Sequence, residues 1–271
     1  MARAYPALDI DGGNYDLLAA SLDDFAPTAI EERGPVLRVF FGTRESRDAA
    51  QAALGVCVQT AAVEVSDEDW ARRSQEHLEP ITIGRVTVLP TPDARLAGPV
   101  PASVIRLVIQ PSMGFGTGHH ATTRLCLVAL QAIDVAGKIV LDVGTGSGIL
   151  AIAAARLGAA SAVGIDVDED AIRSARDNLR LNPEAEHVTF EVGDLATIPV
   201  PRSDVVIANL TRWLLERSAT VLAGAVRTGG LLIASGFHPD ECSLVTRAFG
   251  NATVVWQDAE QAWAALAMKK L

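Results

Sequence analysis

The apolar run Ile139 to Val143 ends in Gly144-Thr145-Gly146-Ser147-Gly148, and an Ala-rich segment opens at Ile149. Glycines at alternate positions between a strand and a helix let the backbone turn sharply and let a ligand lie against it. A dinucleotide would suit such a turn, but its fingerprint wants the third glycine at position 149, which is Ile149. Asp142, two residues before Gly144, places a carboxylate where a pyrophosphate is repelled and an ammonium attracted. The ligand this describes is a nucleoside with a cationic amino-acid end and no phosphate. S-adenosyl-L-methionine has that ammonium and a sulfonium besides. Asp142, Gly144, Gly146 and Gly148 are expected to bind it; the alternative is a glycine-rich turn with a purely structural role.

Asp166 ends the next strand, 22 residues after Gly144, the spacing at which an acid meets both hydroxyls of an adenosine ribose. Asp168, Glu169 and Asp170 read instead as helix-start acids favoured by the dipole. Asp194, after Gly193 at the end of a third strand, can reach an adenine amino group or serve as a turn aspartate. A second glycine-rich stretch, Met113 to Thr123, precedes an apolar helix. Its expected place is over the cofactor, with Phe115, Gly116 and Thr117 in the covering loop and a threonine hydroxyl donating to the carboxylate. His119 and His120 invite a metal, but adjacent side chains diverge and no third ligand has suitable spacing, so none is expected.

Asn209 ends a fourth strand, in Val206-Ile207-Ala208-Asn209-Leu210. A side-chain amide at the mouth of a sheet can accept a hydrogen bond from an incoming amine and orient its lone pair, which makes Asn209 the candidate catalytic residue. No proline pair follows it, so the rigid clamp that grips planar amides and nucleobases is absent. No dedicated general base is visible.

These residues need a frame. From Lys138 onward, continuously apolar strands alternate with helices, which predicts a parallel sheet covered on both faces. Ligands there sit at the carboxyl ends of strands, near the switch point. Upstream, the runs 81–89 and 104–109 read as a hairpin with a long proline-rich loop. Ser66-Asp67-Glu68-Asp69 is a capping-box pattern, so a connecting helix is expected before Pro80. The first 65 residues read β-α-β-β-α-β, a ferredoxin-like unit with a helix over 14–25. The predicted domains are 1–65, a linker helix over 66–79, and 80–271. The local acidic excess (Asp9, Asp11, Asp16, Asp23, Asp24, Glu31, Glu32) reads as a solvated face; a docking surface for a basic partner is the sharper alternative.

The composition agrees with a sizeable core: 49 % of the 271 residues are hydrophobic and 21 % charged. A net charge of −10 speaks against nucleic acid and suits a basic protein or a cationic ligand. Cys57, Cys126 and Cys242 form no Cys-x-x-Cys pair, so neither disulfides nor zinc are indicated. No signal-peptide core and no membrane-length apolar run is present, which leads to a soluble, cytoplasmic protein, expected as a monomer.

The block Phe115-Gly-Thr-Gly-His-His-Ala-Thr-Thr-Arg-Leu, the glycine motif, Gly164-Ile-Asp166-Val-Asp168 and Ala208-Asn209-Leu210 resemble the ribosomal protein L11 methyltransferases in order and spacing. Asp69-Trp70 and Gly84-Arg85 resemble that family's linker region. The resemblance implies a class I methyltransferase fold, Rossmann-like with a seven-stranded sheet, and a small N-terminal ferredoxin-like domain that recognises the substrate protein. It implies S-adenosyl-L-methionine as cofactor, with Thr123, Gly144, Asp166 and Asn209 touching it or bordering its methyl. It also implies transfer to lysine side chains or the N-terminal α-amine of a ribosomal protein. Arg212 and Trp213 depart from the family pattern and stand where they can reshape the substrate mouth. A methyltransferase for another protein lysine or a small amine, or a non-catalytic cofactor-binding module, remains as an alternative.

Overall fold

Strand alternation in the C-terminal two-thirds places apolar side chains on both faces of one sheet, and each face acquires its own core. The structure is a computed structural model, and it describes residues 4–12, 22, 25, 27–33, 36–54, 58–66, 78–93, 104–111, 116–194, 197–198, 202–250 and 252–270. The chain divides into two units, Met1–Glu76 and His77–Leu271.

The first unit contains β1 (Ala4–Asp11), β2 (Pro27–Arg33), β3 (Val36–Phe41), α1 (Arg44–Leu54) and β4 (Gln59–Ser66). Its sheet has the order β2-β3-β1-β4 and is antiparallel throughout, as in a ferredoxin-like unit. Leu8, Ile10, Leu37, Val39 and Phe41 alternate onto the face that α1 covers with Ala50. Asp9 faces Arg38 across the β1–β3 ladder and pairs with it, so part of the acidic excess is neutralised within the sheet. Leu22 and Phe25 of the expected helix over 14–25 join the core that α1 covers; the rest of it, most of the linker helix over 66–79 and Cys57 lie outside the described residues.

The second unit opens with β5 (Ile81–Ile83), β6 (Val86–Leu89) and β7 (Ile105–Val108). The expected hairpin between 81–89 and 104–109 is wrong. Gly84, at φ +58, turns the first run back on itself, so β5 and β6 pair antiparallel, while β7 lies parallel to β6. A parallel pair needs a crossover, not a hairpin loop.

Then follow α2 (Ala121–Ala132), β8 (Ile139–Val143), α3 (Ile149–Arg156), β9 (Ser161–Asp166), α4 (Glu169–Arg180), β10 (Val188–Val192) and β11 (Ser203–Asn209). Next come α5 (Arg212–Ala225), β12 (Val226–Phe237), a short 3-10 turn (Pro239–Glu241), α6 (Cys242–Ala248), β13 (Ala252–Glu260) and β14 (Trp263–Lys270). The seven strands run β10-β9-β8-β11-β12-β14-β13. Val140, Ile207, Ile233 and Ala267 point into one core with α2, α3 and α4. Leu141, Val206, Ala208, Leu232, Leu266 and Met268 point into the other, with α5 and α6.

The sheet is not wholly parallel as expected, since β14 runs antiparallel to both neighbours. Only Gln261 and Ala262 separate the paired Glu260 and Trp263, and Gln261 takes φ +56. Two residues close a hairpin and nothing longer. The chain leaves β8 toward β9 and β10 and returns to place β11 on the other side of β8. The switch point therefore falls between the carboxyl ends of β8 and β11.

Candidate functional site

Register brings the two key strand ends together. Ile207 pairs with Asp142 and Ala208 with Val143, so Asn209 stands one step further, beside Gly144. The glycine turn follows β8, and all three of its glycines take positive φ. The N–H groups of Gly144 and Thr145 both donate to the Ile165 carbonyl, at 2.9 and 3.0 Å. The N–H of Gly146 donates to Asp166 Oδ2 at 3.0 Å. The turn is thereby tied to the end of β9. Asp166 Oδ1 accepts from the Asp168 N–H at 3.1 Å, and each oxygen keeps acceptor capacity. Asp168 caps α4 by accepting from the Asp170 N–H, the helix-start role expected for it.

The two glycine-rich stretches meet. The Ser147 hydroxyl donates to the Gly116 carbonyl at 2.6 Å, and Gly118 packs against Val88 and Ile149. Thr117 is half-buried in this loop, its hydroxyl 3.5 Å from His119 Nδ1. Phe115 lies outside the described residues. His119 and His120 have local partners: His119 Nε2 contacts the Glu79 carbonyl, and His120 caps α2 through Thr122. Burial, and then Arg124, hold the His120 ring below its ordinary pKa. Arg124 itself forms a fork on Glu260 of β13.

Three residues escaped the sequence reading. Ser147 is the hinge between the loops. Asn178 sits fully buried on the Ala171–Ala175 face of α4; its amide donates to the Ser147 carbonyl and accepts from the Gln110 N–H, both at 2.9 Å. An amide at apolar helical spacing is the signal that could have found it. Leu210, just after Asn209, lays its side chain over Gly144, where a Cβ would come within 2.6 Å of Leu210 Cδ2. Gly148 is crowded from inside the protein, by Phe190 and Ala175. Asp194 is exposed at the turn after β10; its carbonyl accepts from the N–H groups of Thr197 and Ile198.

Two buried polar atoms have no hydrogen-bond partner among the described residues: Thr123 Oγ1 and Asp142 Oδ1. Thr123 lies in the first turn of α2, where N–H groups and the dipole favour an anion. Asp142 Oδ2 accepts from the Thr145 hydroxyl at 2.6 Å, and burial pushes this carboxyl up to about 7. A lone hydroxyl donor and a lone carboxylate oxygen match the carboxylate and ammonium of an amino acid. Asp166 adds acceptors for ribose hydroxyls. The donor set fits S-adenosylmethionine.

The Asn209 amide makes no side-chain hydrogen bond among the described residues. Beyond it, α5 opens with Arg212, which bridges Glu216 at 2.9 Å and Glu241 at 2.7 Å. Trp213 is 57 % exposed, with the Arg217 guanidinium 5.0 Å from its ring. At the same edge Trp263 stacks on His238 and meets His120 edge-on, both at 5.1 Å.

A family model described as ribosomal protein L11 methyltransferase (PrmA) matches residues 36–271. A ribosomal protein L11 methyltransferase of Deinococcus radiodurans is 42 % identical over 241 residues, covering 86 % of this chain and 85 % of its own. One from Geobacter sulfurreducens is 38 % identical over 270 residues, covering 97 % and 86 %. A crystal structure of ribosomal protein L11 methylase from Lactobacillus delbrueckii subsp. bulgaricus superimposes with a TM-score of 0.65 at 25 % identity, over 72 % of this chain and all of the other. The resemblance drawn from the Phe-Gly-Thr-Gly block and the glycine motif is borne out: the chain belongs to the ribosomal protein L11 methyltransferase family and is an S-adenosylmethionine-dependent protein methyltransferase.

Proposed function

We propose that this protein transfers methyl groups from S-adenosyl-L-methionine to amine nitrogens of ribosomal protein L11, on lysine side chains, the N-terminal α-amine, or both. The observation that carries this is the free amide of Asn209, standing beside the glycine turn at the switch point. When bound, the cofactor supplies a sulfonium-activated methyl as electrophile. The chain's own residues do the remainder. Thr123 and Asp142 hold the amino-acid end, Asp166 the ribose, Asp194 the adenine edge, and Gly144 and Gly146 give the backbone its close approach. The Gly116-Thr117 loop covers the site. Asn209 accepts a hydrogen bond from the incoming amine and turns its lone pair toward the methyl. A lysine ammonium, with an ordinary pKa of about 10.4, must lose a proton first, and burial at the mouth favours the neutral amine.

The unit over 1–65 recognises the substrate, joined through 66–79 to the catalytic unit over 80–271. A chain of net charge −10 suits a basic ribosomal protein and disfavours direct contact with nucleic acid. Among the described residues no helix is long and apolar enough to cross a membrane. A cytoplasmic monomer fits this reading.

The test is incubation with methyl-labelled cofactor and purified ribosomal proteins. Label on L11 supports the proposal. Label only on other proteins or small amines moves the substrate elsewhere, and tight binding without transfer leaves a binding module. Asn209→Ala is expected to lower the single-turnover rate by about a hundredfold or more, since alignment supplies several kcal/mol. Its cofactor affinity is expected to stay within about threefold of wild type, a change below 1 kcal/mol. An unchanged rate would remove Asn209 from catalysis.

A further inference from the structure

Asp142 is 1 % exposed, and among the described residues only one of its oxygens is hydrogen-bonded. A carboxylate taken out of water without a counter-ion is the less stable of its two protonation states. Among the described residues, the groups around it do not supply that counter-ion. Asp166, at the end of β9, repels it. The Cys126 thiol of α2 lies close and is itself pushed up by burial and by Asp142. The register partners of Asp142, Gly164 on β9 and Ile207 on β11, carry no charge, and the Ser235 hydroxyl of β12 donates to the Ala264 carbonyl. The Thr145 hydroxyl and the Ala151 N–H in the first turn of α3 favour the anion, but burial outweighs them. Charge balance has to arrive with a ligand.

We propose that cofactor binding expels one proton from Asp142: the ligand-free site holds the carboxyl largely as the neutral acid below neutrality, and the ammonium of the ligand's amino-acid end converts it to the anion. This rests on the S-adenosylmethionine reading above. The balance is simple. The O–H bond of Asp142 breaks, its proton passes to the buffer, the electron pair stays on the carboxylate, and the ligand ammonium becomes the counter-ion. S-adenosylhomocysteine carries the same ammonium, so release needs no methyl transfer. The sign follows. Below the ligand-free pKa, binding must expel one proton from the carboxyl, and affinity weakens by up to tenfold for each unit of falling pH. Above it, affinity levels off until the ligand's own α-amine begins to titrate.

The experiment is titration calorimetry of the full chain with S-adenosylhomocysteine, in buffers of low and high ionisation enthalpy. At about pH 6 the wild type is expected to release close to one proton, falling toward half near pH 7, where about half the carboxyl is already ionised. Asp142→Asn is expected to bind more weakly, release none, and lose the pH dependence. Infrared difference spectra of the wild type make the test independent of that variant's folding: the protonated-carboxyl C=O band is expected to bleach on adding S-adenosylhomocysteine. Binding with neither buffer-dependent heat nor bleaching overturns the coupling and leaves the cofactor reading intact. Equal release from Asp142→Asn assigns the proton elsewhere and also overturns it. Absence of binding at any pH overturns the cofactor reading and the coupling with it.

Discussion

Asp166→Ala is expected to raise the dissociation constant for S-adenosylmethionine by about two to four decades while the chain stays folded. Each oxygen of Asp166 already accepts one backbone bond, from the Gly146 and Asp168 N–H groups. One lone pair on each remains for a ribose hydroxyl. A hydrogen bond to a charged group contributes about 1.5–3 kcal/mol, so losing two costs about 3–6 kcal/mol. At about 1.4 kcal/mol per decade that is the stated range. The fold should survive because Asp166 stands half-buried at a strand end rather than in either core. Asp166→Asn, which keeps one acceptor oxygen, should fall between the two. Calorimetric affinities together with circular dichroism check this. Wild-type affinity in a folded Asp166→Ala would sink the ribose assignment.

Gly148→Ala is expected to destabilise the protein by about 2–5 kcal/mol. Gly148 has φ +81, and a Cβ there would stand 2.7 Å from Phe190 Cζ and 2.9 Å from Ala175 Cβ. The left-handed conformation costs an L-residue about 1–2 kcal/mol. Forcing a methyl into a filled core adds about 1–3 kcal/mol. Gly229 separates the two terms: it has φ +75 and nothing within 4 Å, so Gly229→Ala should show backbone strain alone. Urea unfolding of both variants decides. Equal losses would mean that the packing of α3 and α4 against Phe190 is not what requires this glycine. Gly144→Ala should fall nearer Gly229→Ala, because the atom it meets is the flexible end of Leu210.

The chemistry-bearing residues were legible because their spacing is local. A strand of Ile139–Val143, the alternating glycines and an acid at the end of the next strand lie within one βαβ unit, and short-range geometry places them. Errors arose where pairing partners had to be chosen. The run 81–89 carries β-branched residues throughout, and only the positive φ at Gly84 reveals that it folds on itself. At the end of the chain the direction of β14 depends on a two-residue turn that closes it against β13 and inserts it beside β12.

By itself the sequence determined the family, the alternating strand–helix order, and the identity of the cofactor-facing side chains, because these follow from residue type and near-neighbour spacing. Tertiary structure alone decided which of those side chains share a site. Ser147 reaches Gly116 across 31 positions, Asn178 reaches Gln110 across 68, and Arg124 reaches Glu260 across 136. Tertiary structure alone also decided that Asp142 is buried with one oxygen unpaired among the described residues, since burial is a sum over neighbours from α2, α3, β9 and β11. The sequence supplies a carboxylate before a glycine turn; its charge in the ligand-free protein is set by desolvation, which depends on everything packed around it.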